Sequence, residues 1–121
     1  MTWRLVITIT LLFGPGMLES REIQHRIVLK RGGETTVSGR IPTPQDISVY
    51  FLQLRAGEHL SAQLNPGPTL RAWALLKPPS GDQIGPGTRI DSVVDKTGMF
   101  EIRIIPLEQS SGDFRLHVSL Q

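Results

Sequence analysis

The chain has 121 residues with 13 Lys and Arg against 11 Asp and Glu, a formal net charge of +2, and no cysteine. So small a charge, scattered singly along the chain, points to neither nucleic acid nor an anionic membrane surface as partner. Without cysteine there can be no disulfide staples and no lipid-modified bacterial lipobox, so burial of apolar side chains has to hold any fold the chain adopts.

The chain opens on Arg4, an apolar run over residues 5–13 (LVITITLLF) and then Gly14, Pro15 and Gly16. That order is expected of a secretory signal, and the run falls far short of the roughly 20 residues a membrane-spanning helix needs. Cleavage is expected after Gly16 or Ser20, the alternative being an uncleaved anchor. The expected organisation is a signal peptide over 1–20 and a single domain over 21–121, delivered to the periplasm or outside the cell, with no membrane span after cleavage.

Within that domain, Ile23, His25, Ile27 and Leu29 alternate with Gln24, Arg26, Val28 and Lys30, which predicts a strand over 23–30. His25 reads as a histidine at the rim of the core, since no second ligand stands at a coordinating spacing. After the Arg31 to Glu34 turn a second strand is predicted over 35–41, with Val37 and Ile41 on one side, stopped by Pro42 and Pro44. Residues 49–64 (VYFLQLRAGEHLSAQL) then show period two, interrupted at Arg55, Ala56, Gly57 and Glu58 and resumed in phase. The pattern predicts a hairpin of two antiparallel strands, the first more deeply covered because both its faces are apolar.

Beyond the rigid Asn65, Pro66, Gly67, Pro68 loop, residues 70–77 (LRAWALLK) could form a helix by composition. Their shortness between proline-bounded loops favours a strand with Leu70, Ala72, Ala74 and Leu76 on one face. Residues 78–87 form the longest irregular stretch and a candidate functional loop. A strand over 89–94 with Ile90 and Val94 on one face follows. The last two strands are the plainest, Phe100, Ile102 and Ile104 in one and Phe114, Leu116, Val118 and Leu120 in the other. About eight short strands without a helix predict an all-β, antiparallel jelly-roll β-sandwich. A charge at Ile102 or Leu116 is expected to unfold it.

The order Tyr50, Leu52, Leu54, Ala56-Gly57, Leu60 and Leu64, then Pro79-Ser80-Gly81, Thr97-Gly98-x-Phe100-x-Ile102-Arg103-Ile104 and Ser111-Gly112-x-Phe114-x-Leu116-x-Val118 resembles the bacterial pre-peptidase C-terminal domain. The resemblance covers about residues 46–120. It implies a small jelly-roll module, of a kind often appended to exported enzymes, with a binding or accessory role and no chemistry of its own. Some relatives bind calcium through acidic residues near their start. Glu22 and Glu34 offer too few oxygens for that, so no metal or cofactor is expected. In length, signal and strand pattern the chain is also similar to the periplasmic inhibitors of goose-type and invertebrate-type lysozymes, which insert loops into the enzyme cleft. Net charge counts against that target, because a +2 protein gains no electrostatic steering towards a basic enzyme.

No Gly-x-Ser-x-Gly elbow, His-Glu-x-x-His or phosphate-cradling glycine loop occurs, and His25, His59 and His117 are scattered, so no enzyme is expected. The binding candidates are Arg71 and Trp73, with the loop over 80–87 and its Ser80, Gly81 and Asp82. Two registers stay open at Trp73: an outward indole that stacks on a sugar ring or anchors a protein, or one that fills the core. Arg103, Arg115 and His117 form a second outward row, which reads as a solvated face. The partner expected is an exported protein or a cell-envelope glycan.

Overall fold

Alternation becomes strand over most of its length in residues 21–121, which the computed structural model describes, although the strand expected over 23–30 stops at Arg26. The signal peptide expected over 1–20 lies outside the described residues. The strands are β1 (Arg21–Arg26), β2 (Glu34–Ile41), β3 (Asp46–Leu54), β4 (His59–Pro66), β5 (Ala72–Lys77), β6 (Ile84–Gly87), β7 (Arg89–Val93), β8 (Gly98–Pro106) and β9 (Gly112–Leu120). They form two sheets, of order β1-β3-β8-β5-β6 and β2-β9-β4-β7. Between them lies the core the alternation marked: Leu52, Leu54, Leu60, Leu64, Leu76, Ile102, Ile104, Leu116 and Leu120 are all at most 2% exposed.

Three expectations need correction. Residues 49–64 are not a hairpin: β3 pairs with β1 and β8, β4 pairs with β7 and β9, and the 55–58 turn carries the chain from one sheet to the other. Period two says which face a side chain takes, not which strand lies beside it, so two strands facing each other across a core look like two in one sheet. The turn itself was legible, with Gly57 at φ +92 and Glu58 N–H bonded to the Arg55 carbonyl. The sandwich is not wholly antiparallel, since β1 lies parallel to β3 with His25 opposite Tyr50. Nor is 78–87 all loop: Ile84–Gly87 pairs irregularly with β5 as an edge strand, which raises the number of strands among the described residues to nine.

Buried polar groups are placed where they tie elements together. Asp46, fully buried, accepts from Thr43 N–H and Thr43 Oγ1 at 2.9 and 3.0 Å, which closes the turn before β3. Its other oxygen accepts from Arg21 Nε at 2.8 Å and so anchors the start of β1.

Candidate functional site

Strand β5 sorts its side chains strictly. Ala72, Ala74 and Leu76 are buried against the core, and Trp73, between them, faces outward at 45% exposure. The outward register is therefore the one adopted; the two small alanines fill the narrow interior that an indole would overfill. On the outer face of this sheet Trp73 lies opposite Ile105, and Leu75 opposite Arg103. Arg71, just before the strand, is exposed and pairs with Glu108 at 3.2 Å, while Ser110 bonds its backbone N–H at 2.9 Å and its carbonyl at 2.8 Å.

Ser80, Gly81 and Asp82 lie beyond the other end of β5. From Trp73 to Lys77 the strand advances about 13 Å at roughly 3.3 Å per residue. The structure therefore separates the candidates into two places. The loop residues line a pocket of about 440 Å³ together with Ile84, Val93, Asp95, Lys96 and Phe100, and neither Arg71 nor Trp73 reaches it. Gly81 takes φ +99 with open space around it, so glycine is needed there for conformation rather than for room. Sequence reasoning found one wall of this pocket. Its other wall, Val93 to Lys96, was read only as the end of a strand and a closing turn.

The outer face of the four-stranded sheet is polar. In-register rows cross it: Ser38, Arg115 and Asn65, then Thr36, His117, Gln63 and Arg89. The first row, with Arg40, Asp113 and Gly67, borders an open groove of about 700 Å³. Arg103 does not belong with Arg115 and His117: it stands on the opposite sheet, where it bonds Glu22 and Glu101 at 2.5 and 2.8 Å. That set lies beside Val49, which is fully buried although it faces away from the core. The expected row Arg103, Arg115, His117 thus splits across the sandwich, because β8 and β9 lie in different sheets.

Thr36 Oγ1 and His117 Nδ1 share a 2.7 Å hydrogen bond, and His117 Nε2 is 3.5 Å from Glu34 Oε1. The three groups have the types of a nucleophile, a base and an acid. They stand side by side, however, on the exposed outer face of two paired strands, β2 at the sheet edge and β9 within the sheet, and among the described residues no pocket encloses them. Nearby, Asp91 is held below the usual carboxylate range by a hydrogen bond from Ser61 and by Arg89. Among the described residues no three His, Cys, Asp or Glu side chains gather as metal ligands, and no helix is long and apolar enough to cross a membrane.

Solved structures with this architecture include the PliG of Aeromonas hydrophila, a periplasmic lysozyme inhibitor of g-type lysozyme. It aligns with a TM-score of 0.65 at 13% identity over 83% of this chain and 99% of that one. The chain shares its fold. The Salmonella Typhimurium PliG aligns at 0.64 and 13% identity over 81% of this chain and 97% of its own. The pre-peptidase C-terminal domain of a Bacillus anthracis collagenase aligns at 0.58 and 15% identity over 81% and 94%. Both resemblances drawn from the sequence thus have structural counterparts, at identities where the likeness is one of fold. No family profile matches the sequence. No curated protein matches it either.

Proposed function

We propose that this chain is an exported, non-catalytic binding module that docks onto a partner protein in the periplasm or outside the cell, its residues 1–20 serving as the export signal. The observation that carries this reading is the extent of the fold match, which takes in 99% and 97% of two periplasmic inhibitors of g-type lysozyme. The g-type lysozyme is accordingly the first partner to test. Strand orders β2-β9-β4-β7 and β3-β8-β5-β6, with β1 added beside β3, support reading the sandwich as a jelly roll.

The contact residues proposed are Arg71 and Trp73 on one surface and Ser80, Gly81 and Asp82 on another. A cell-envelope glycan is the second reading, favoured by the 45% exposed indole of Trp73, which offers a flat apolar face to a sugar ring. The test adds the purified protein to lysis assays with g-type and invertebrate-type lysozymes, beside pull-downs from periplasmic extract and on cell-wall glycan. Stoichiometric inhibition of the g-type enzyme is expected. Retention on glycan, with every lysozyme active and no protein captured, would replace the first reading by the second.

A further inference from the structure

The pocket beyond β5 has two stiff walls. Pro79 packs so tightly on Gly98 that a Cβ there would stand 2.6 Å from the proline Cγ, which seats the start of the 78–82 wall against β8. The facing wall is tied down by Ala56 N–H donating to Thr97 Oγ1 at 3.0 Å, and by 2.8 Å bonds from Val94 N–H to the Glu58 carbonyl and from Gly57 N–H to the Val94 carbonyl. A pocket held in this way needs little ordering when it is filled.

Its lining combines two chemistries. Pro78, Ile84, Val93 and Phe100 give apolar surface, and Val93 is 63% exposed. Asp82 and Asp95 add two carboxylates to the same opening, and among the described residues no hydrogen bond or ion pair engages either side chain. Lys96 on the rim is also unpaired. The chain as a whole is +2, yet the lining of this pocket carries two carboxylates to one ammonium.

Resting on the reading of a partner protein, we infer that this pocket receives a lysine or arginine side chain of that partner. The aliphatic stem lies along Pro78, Ile84 and Val93, and the cationic head lies between Asp82 and Asp95. A long basic side chain is the ligand that uses both chemistries at once, since it carries an apolar stem behind a strongly hydrogen-bonding head. The volume of about 440 Å³ accommodates one such side chain with water around its head. The two carboxylates attract the cationic head at contact range, which is a matter of the residues lining the opening and not of the total charge of the chain.

The test titrates the exported protein with the peptide acetyl-Gly-Arg-Gly-amide and with its uncharged citrulline counterpart, following backbone amides by NMR. The arginine peptide is expected to move the resonances of residues 80–82 and 92–96 and to bind at least about tenfold more tightly than the citrulline peptide. Asp82→Asn with Asp95→Asn is expected to abolish the difference, and Lys96→Gln to strengthen arginine binding. All three positions are exposed, so folding survives. Equal affinity for the two peptides, or shifts confined to the surroundings of Trp73 or Arg115, would overturn the assignment. Lysozyme inhibition by the same variants separates the two ideas. If the double variant inhibits like its parent, the pocket falls and the partner reading stands; if no protein binds but the arginine preference holds, the partner reading falls and the pocket stands.

Discussion

The His25 imidazole stacks on the Tyr50 ring with centroids 4.9 Å apart and planes 22° from parallel, and Tyr50 meets Phe114 of the other sheet edge-on at 6.3 Å. Burial lowers the pKa of His25 from 6.5 and pushes that of Tyr50 from 10.0 up to about 12. Below 6.5 the unfolded chain takes up the histidine proton more readily than the folded one, so stability present above that pH is lost as pH falls through the lowered folded value. Between 10.0 and about 12 the folded chain keeps a phenol proton that the unfolded chain releases, and stability falls by at most about 3 kcal/mol. Urea denaturation across pH should therefore decline at both extremes. His25→Gln should flatten the acid limb alone, and Tyr50→Phe the alkaline limb alone.

Gly39 gives these rings their space. A Cβ on it would lie 2.4 Å from Phe114 Cζ and 2.7 Å from Tyr50 Oη. Gly39→Ala should cost about 1 to 3 kcal/mol through overpacking. Adding Tyr50→Phe removes the clash with the Tyr50 hydroxyl and leaves those with Phe114, so in a double-mutant cycle the pair should be less destabilised than the sum of the single changes.

Arg103 and Arg40 both form ion pairs, in unlike settings. The Arg103 side chain is 17% exposed between Glu22 and Glu101, whereas Arg40 and Asp113 are 67% and 73% exposed. Desolvation opposes the Arg103 charge, but hydrogen bonds and attraction from Glu22 and Glu101 outweigh it and raise its pKa. Arg103→Ala leaves two part-buried carboxylates without their cation and should cost about 1 to 3 kcal/mol. Arg40→Ala should cost about 1 kcal/mol or less. Chemical denaturation of the two variants checks the order.

Trp73 and Ile102 also make a contrast. Trp73→Ala, on the outer face, should change stability by about 1 kcal/mol or less and show its effect on partner or glycan binding. Ile102→Asp places a charge at a fully buried position of the core and should abolish the cooperative melting transition. Circular dichroism on heating distinguishes the two.

Which residues share a face was legible in the alternation alone. Tyr50, Leu52 and Leu54, Leu60, Ala62 and Leu64, and Leu70, Ala72, Ala74 and Leu76 are each buried as a set, as are Ile102 and Leu116 with their alternating neighbours. The candidate site was legible only in pieces. Pro79, Ser80 and Gly81 marked one wall of the pocket by their turn chemistry, but nothing local to Asp95 said that it would stand near Asp82. Trp73 could be assigned to either face, because period two is equally satisfied with the alanines inside or outside, and only their burial fixes the indole outward.

By itself the sequence determined most of the strands and which side chains share a face in each, because an extended backbone turns successive side chains to opposite faces whatever surrounds it. Only the tertiary structure decided that β3 and β4 lie in different sheets, that Arg103 parts from Arg115, and that the carboxylates of Asp82 and Asp95 share an opening. Backbone donors and acceptors are the same in every strand, so the choice of neighbour rests on how whole sheets pack.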